Sequence, residues 1–206
     1  IQDIVNDSTN KPVFLTSLVG LPSITNAFDN NETIAVFTAN SNSLDPILPR
    51  LLNMSGISER NRQRLQIIGC QNVDGFDAVA KGEKVDVERV TPGIVALAKK
   101  EIQANPKIKC ILMECTELGP YSDSVRSATG LPVYDSITTA NSFMEGFLDN
   151  KRFGANNWQK SFSGQTPYKF GDNLTQEEKN QLVNKIGEEP KGNKYAIVDQ
   201  FKKVVR

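Results

Sequence analysis

The chain has 206 residues, with 24 lysines plus arginines against 24 aspartates plus glutamates, 3 cysteines and no histidine. Balanced charge leaves no net field to draw in nucleic acid or an anionic membrane surface, and no apolar run approaches the length of a membrane span. The missing histidine excludes histidine-based triads and histidine zinc sites, and without any Cys-x-x-Cys spacing no metal site is expected.

Ile1–Asn10 reads as the end of a helix before a turn. The chain opens on Ile rather than Met, and a preceding segment is expected. Short apolar, β-branched runs then alternate with helical patterns. Val13–Leu18, Thr33–Thr38, Leu65–Cys70, Lys109–Cys115 and Leu131–Ile137 are predicted strands. Their apolar residues run continuously rather than alternating, as in sheets covered on both faces.

Helices are predicted between them. Pro22–Phe28 is one, and Ser43–Met54 is another, with a serine or Asp45 as its cap. The clearest spans Thr91–Ala104, with Thr91 as N-cap, Pro92 in the first turn, and Ile94, Leu97, Ala98 and Ile102 on one face. Pro106 closes it. Tyr121–Ala128 is a shorter helix, stopped by the left-handed turn that Gly130 permits, and Ser142–Leu148 is another. Such alternation predicts an α/β fold built on a mainly parallel sheet.

Beyond Asn150 the texture changes. Lys151–Asp172 is polar and loop-like but carries Phe153, Trp158, Phe162, Tyr168 and Phe170, a pattern that docks a segment onto a body or a neighbouring subunit. Thr175–Glu178 reads as a capping box, and Tyr195–Val205 as a peripheral helix.

Without histidine, acid/base chemistry near neutral pH falls to a thiol, a carboxylate, a lysine or a tyrosine. Cys115 is the leading candidate. It ends an apolar strand, where parallel α/β folds place their ligands. Backbone N–H groups at the turn that follows are expected to draw its pKa below the free value of about 8.5. Read blandly, it is a buried core thiol. Cys110 falls on the opposite face at period two and reads as structural, and Cys70 ends another strand at the cleft's edge. Thr38–Ser43 (TANSNS) follows the Thr33–Thr38 strand and offers hydroxyls, amides and N–H groups. That loop reads equally as a carboxylate cradle and as helix caps.

From Glu114-Cys115-Thr116-Glu117-Leu118-Gly119-Pro120-Tyr121-Ser122-Asp123 to Ala128-Thr129-Gly130-Leu131-Pro132-Val133-Tyr134-Asp135, the chain resembles the aspartate/glutamate racemase superfamily. The likeness covers roughly residues 11–150. Ile68-Gly69-Cys70-Gln71, Gly75–Ala80 and Arg152–Trp158 look most like its algal and coral dimethylsulfoniopropionate lyase branch.

The resemblance implies two similar lobes, each a mainly parallel sheet flanked by helices, with the site between them. Residues 31–131 would form the second lobe. Residues 1–30 with 132–150 would complete the first, which is incomplete at its N-terminus, and 151–206 would be a docking segment with a peripheral helix. The family's first cysteine would lie upstream of Ile1. Cys115 carries over as the catalytic residue, and Thr38, Asn40, Ser43 and Thr116 as substrate-binding positions.

The implied reaction is cofactor-independent removal of the proton α to a carboxylate, with release of dimethyl sulfide and acrylate. An aspartate or glutamate racemase and a non-catalytic carboxylate binder stand as alternatives. An odd cysteine count and family habit together lead us to expect a homo-oligomer in an intracellular, reducing compartment, cytoplasmic or plastid. Tyr121, Tyr134 and Trp158 are candidate aromatic partners for a sulfonium.

Overall fold

The computed structural model describes residues 2–148, together with 175–177 and 180. The chain divides into two compact units, Ile1–Asn150 and Lys151–Arg206. The aromatic segment Lys151–Asp172, the Glu178 end of the capping box and the helix at Tyr195–Val205 lie outside the described residues.

Four parallel strands make the sheet of the first unit, in the order β2-β1-β3-β4. They are β1 (Thr33–Thr38), β2 (Leu65–Gly69), β3 (Ile108–Met113) and β4 (Val133–Tyr134). The predicted α/β class with a parallel sheet flanked by helices is borne out. β1 is central, and Ile34, Ala35, Val36 and Phe37 are each at most 1% exposed, so both of its faces are covered. That is why its apolar residues run without a polar break.

The helices are α1 (Gln2–Asp7), α2 (Leu21–Ala27), α3 (Ser41–Leu44), α4 (Leu48–Met54), α5 (Glu59–Arg62), α6 (Ala78–Lys81), α7 (Val87–Ala104), α8 (Ser122–Thr129) and α9 (Ser136–Met144). One core cluster joins Ala35, Phe37, Ile68, Ile111 and Met113 of the sheet to Val90, Ile94 and Ala98 of α7 and Val125 of α8. Gly130 stops α8 with φ 69°, the left-handed C-terminal turn expected of it.

Several predicted boundaries moved, each for a local reason. Val13–Leu18 is not a strand. Thr16 caps a 3-10 turn over Ser17–Gly20, accepting from the Leu18 N–H, and the Ser17 hydroxyl turns inward to donate to the Met113 and Glu114 carbonyls at 3.2 and 3.3 Å.

The long helix begins at Val87 rather than Thr91, because Asp86 accepts the Arg89 N–H at 3.1 Å. Pro92 therefore sits inside it and removes one backbone bond. Full burial of Val90, Ile94 and Ala98 holds the helix together across that gap. Ser43–Met54 falls on two helices, α3 capped by Asn40 and α4 opening after Ile47, with Pro46 between them unable to donate a backbone N–H. Leu131–Ile137 contributes only a two-residue strand, because Asp135 caps α9. The helix read at Ser142 therefore starts at Ser136.

Candidate active site at the carboxyl edge of the sheet

The carboxyl ends of β1, β2 and β3 carry three short polar turns side by side, at Thr38–Ser43, Cys70–Gln71 and Glu114–Glu117. Register brings them level: Phe37 pairs with Ile68 on one side and Met113 on the other. Backbone bonds continue the ladder one step further, from Cys70 N–H to the Thr38 carbonyl at 2.9 Å and from Glu114 N–H to the Phe37 carbonyl at 2.7 Å.

Side chains then lock the turns together. The Thr38 hydroxyl donates to Glu114 Oε2 at 2.9 Å. Gln71 reaches across to α3, accepting from the Ser41 N–H at 3.3 Å and donating to its hydroxyl at 3.1 Å. This crossing passes over Gly69, where an added Cβ would collide with the Gln71 amide and with Ser41 Oγ. The glycine is required there by space, not by backbone angle.

Cys115 is a free, half-buried thiol that opens the 3-10 turn Thr116–Tyr121. Its sulfur side packs on the core cluster. Burial raises its pKa most, and the neighbouring Glu114 and Glu117 carboxylates add to the rise. The N–H groups of Glu117 and Leu118 favour the thiolate but do not outweigh that rise, and no capping hydrogen bond closes on the sulfur. The expected depression is therefore overturned. A strand-end thiol needs more than backbone N–H groups to ionise when carboxylates flank it. Glu114 itself is held up by burial and drawn back by the Thr38 hydroxyl.

The other expected residues fall as follows. Thr38 is buried and engaged with Glu114. Asn40 caps α3 through its side-chain oxygen, accepting from the Asn42 N–H at 3.0 Å. Ser43, within α3, and Thr116, at the start of the 3-10 turn after Cys115, are exposed. Glu114 and Gln71 are the groups that sequence reasoning did not single out. The signal for Glu114 is its face: Thr38 and Glu114 meet only once the β1–β3 register is known.

Cys110 and Cys70 are both fully buried, and burial pushes each thiol up to about 12. Cys70 also feels Cys115, so the two share a neighbourhood. The Tyr121 ring is fully buried and edge-on to Phe76, with centroids 6.1 Å apart. It presents no open face to a ligand. Tyr134 lies elsewhere, in a cavity of about 310 Å³ with Phe14, Ser23, Thr138 and Phe143, and none of the Cys115 turn lines it. Among the described residues no three His, Cys, Asp or Glu side chains group to hold a metal ion, and no helix is long and apolar enough to cross a membrane.

Fold and site together define an α/β protein with a half-buried thiol and a carboxyl group side by side at the carboxyl edge of a parallel sheet. Among known proteins, the chain is similar to dimethylsulfoniopropionate lyases. Dimethylsulfoniopropionate lyase 7 of Emiliania huxleyi (strain CCMP1516) is 49% identical over 189 residues, covering 89% of this chain and 55% of that protein. The dimethylsulfoniopropionate lyase of Durusdinium sp. clade D is 49% identical over 172 residues, 83% of this chain and 57% of that protein. Dimethylsulfoniopropionate lyase 3 of Emiliania huxleyi is 46% identical over 190 residues, 89% and 49% of the two chains.

The likeness read from Ile68–Gln71 and Gly75–Ala80 is thus borne out. The chain spans about half the length of the curated relatives it matches. No family model matches it. The crystal structure of allantoin racemase from Pseudomonas fluorescens superposes with a TM-score of 0.42 at 18% identity, over 66% of this chain and 55% of that one, too loosely to argue from.

Proposed function

We propose that this chain is the Cys115-bearing part of an enzyme that cleaves dimethylsulfoniopropionate to dimethyl sulfide and acrylate. The observation that carries the reading is 49% identity to a lyase of that name across 89% of the chain. Cys115 acts in its thiolate form, which burial and the flanking carboxylates disfavour in the free chain, and takes the proton from the carbon α to the substrate carboxylate. The electron pair left behind forms the carbon–carbon double bond of acrylate, the bond from the β carbon to sulfur breaks, and its electrons leave with dimethyl sulfide. The proton on Cys115 then returns to solvent. No cofactor enters this balance.

Hydrogen-bond donors that meet the substrate carboxylate favour the negative charge that builds up on it during proton removal. Asn40, Ser43 and Thr116 are the proposed donors, with Thr38 acting beside them on Glu114. We place residues 31–131 in one lobe, joined by β4, which pairs with β3 in their sheet, with 1–30 and the rest of 132–150 belonging to a second. The working form is a homo-oligomer in a reducing compartment, where three free thiols persist.

The test is a full-length enzyme assayed for dimethyl sulfide, with Cys115→Ser beside it. Release should fall by at least about 10³-fold, equivalent to roughly 4 kcal/mol of barrier. A full-length protein that exchanges the α proton of aspartate and releases no sulfide would leave the racemase reading standing instead.

A further inference from the structure

Past the last residue of β3 the chain leaves the sheet, and the bonds that hold it there decide where the Cys115 sulfur stands. Toward β1, the Glu114 N–H donates to the Phe37 carbonyl at 2.7 Å. Ahead, the Leu118 N–H closes on the Cys115 carbonyl at 3.0 Å. On the β4 side the ladder stops early, because Asp135 caps α9 and leaves β4 only Val133 and Tyr134. Ile111 faces that side, its N–H on the Pro132 carbonyl at 3.0 Å, and so does Met113 two residues on. A longer β4 would have met the Met113 carbonyl. The Ser17 hydroxyl takes that place. It is 1% exposed and lies 3.2 Å from the Met113 carbonyl and 3.3 Å from that of Glu114, one proton shared between two acceptors. The Glu114 carbonyl belongs to the planar peptide that ends at the Cys115 Cα, so a shift of one carries the other.

Ser17 is itself held from behind. Thr16 accepts from the Leu18 N–H to cap the 3-10 turn over Ser17–Gly20, and Leu18 and Leu21 are both buried. Gly20 closes the turn so tightly against α9 that an added Cβ would stand 2.7 Å from Thr139 Cγ2. The turn is fixed by its own packing, and the hydroxyl passes that position on to a strand end 96 residues away.

We infer that Ser17 is a positioning residue, which holds the end of β3 so that the Cys115 sulfur stays aligned for proton removal. The inference deepens the lyase reading and rests on it for the reaction. Misplacing a reacting group by about 1 Å can cost about 10²-fold in rate. Without the hydroxyl both carbonyls lose that donor, and the peptide before Cys115 turns toward water to replace it. The sulfur then becomes more accessible as it loses alignment. Exposure also relieves the burial that is the largest cause of its raised pKa, so the thiol becomes more reactive to a small reagent and less useful to the substrate.

Two readouts on the full-length enzyme test this, one with turnover and one without. Ser17→Ala should lower kcat for dimethylsulfoniopropionate by roughly 10- to 100-fold and leave KM within about twofold. With no substrate present, iodoacetamide should label Cys115 at least about threefold faster in Ser17→Ala than in the unaltered enzyme, as located by peptide mass spectrometry. Cys70 and Cys110 are fully buried and should stay unlabelled, which reports an intact fold. Thr25→Val deletes another fully buried hydroxyl, one that donates to the Leu21 carbonyl at 2.7 Å within α2, and should move neither readout. Labelling of all three thiols in Ser17→Ala would make the hydroxyl a support of the whole fold and overturn the assignment. So would an unchanged Cys115 labelling rate, or a kcat loss that Thr25→Val shares. An unaltered enzyme that releases no dimethyl sulfide sinks the lyase reading alone, because the labelling contrast scores Ser17 without turnover.

Discussion

The two ends of the same sheet handle polar groups in opposite ways. At the amino edge everything is closed. Arg64, just before β2, is 8% exposed and donates to the carbonyls of Thr25, Phe28, Asp29 and Glu32 and to Asn61 Oδ1, at 2.6–3.2 Å. All five of its N–H groups are used. Asn105 donates to Gln66 at 2.8 Å, and the Thr33 N–H reaches the Lys107 carbonyl at 2.8 Å. At the carboxyl edge, by contrast, Glu114 is half-buried with no ion pair among the described residues, Cys115 is a thiol between carboxylates, and Ser43 and Thr116 are exposed. The difference teaches where binding capacity resides: one edge has used its hydrogen bonds to close loops, and the other has kept some.

The largest effect should come from opening the closed edge. Arg64→Ala removes five hydrogen bonds and strands four backbone carbonyls that pack under α2 and its following loop. A loss of about 3–4 kcal/mol in urea unfolding is expected. Arg64→Lys should lose about half of that, since an ammonium offers three donors in place of a planar fork. Turnover per folded molecule should stay unchanged in both. A loss below about 1 kcal/mol would show that the amino edge is not the sealed end described here.

A second test separates the buried thiols from the open one. Cys70 and Cys110 are pushed up to about 12 by burial, above the value of about 8.5 expected of an unfolded thiol. The folded state thus holds these protons more tightly than the unfolded state does. Their contribution to stability is complete below pH 8.5 and is lost as pH rises towards 12. In that window each thiol should steepen the fall by about 1.4 kcal/mol per pH unit. Cys110→Ala should remove its share of the slope whatever it does to stability at neutral pH. An unchanged slope would mean that Cys110 ionises in the fold as readily as in water.

Much of this contrast could be read from the residues, and the unread part has a common cause. β1 and β3 were legible because strands covered on both faces need apolar runs, which Thr33–Thr38 and residues 110–113 supply, whereas the edge strand β2 was legible from Ile67-Ile68 although it is only half-buried. Cys115 was legible from its motif and its place at a strand end. Val13–Leu18 misled because a single capping threonine and an inward serine bent an apolar run into a turn. The start of α9 was missed although Asp135 and Thr138 form a reciprocal capping box, with both bonds at 2.7 Å. The Thr38–Glu114 pair, the Gln71–Ser41 crossing and the Arg64 network join residues 76, 30 and up to 39 positions apart. Such contacts are set by register and tertiary packing, which local pattern does not carry.

The smallest effects come from two glycines that are needed for different reasons, one at each kind of region. Gly130 ends α8 at φ 69° with open space where a Cβ would stand, so Gly130→Ala should cost about 1 kcal/mol through backbone strain alone. It belongs to the scaffold, and binding of a substrate analogue should not change. Gly69 has an ordinary backbone angle, but its missing Cβ makes room for the Gln71 amide on its way to Ser41. The obstructing Gln71 amide is the far end of a flexible chain and Ser41 Oγ can turn to another rotamer, so Gly69→Ala should yield by breaking the Gln71–Ser41 contact, again at about 1 kcal/mol. The two variants should therefore look alike in thermal unfolding and differ in binding. With Gln71 released, α3 loses its tie to β2, and the turn carrying Asn40 and Ser43 is less well ordered for a substrate carboxylate. Gly69→Ala should raise the dissociation constant of 3-(trimethylammonio)propanoate, a non-eliminating shape analogue of the substrate, because that ligand carries the same carboxylate. An unchanged dissociation constant would instead show that the turn keeps its order without Gln71, and that the turns of the carboxyl edge act separately.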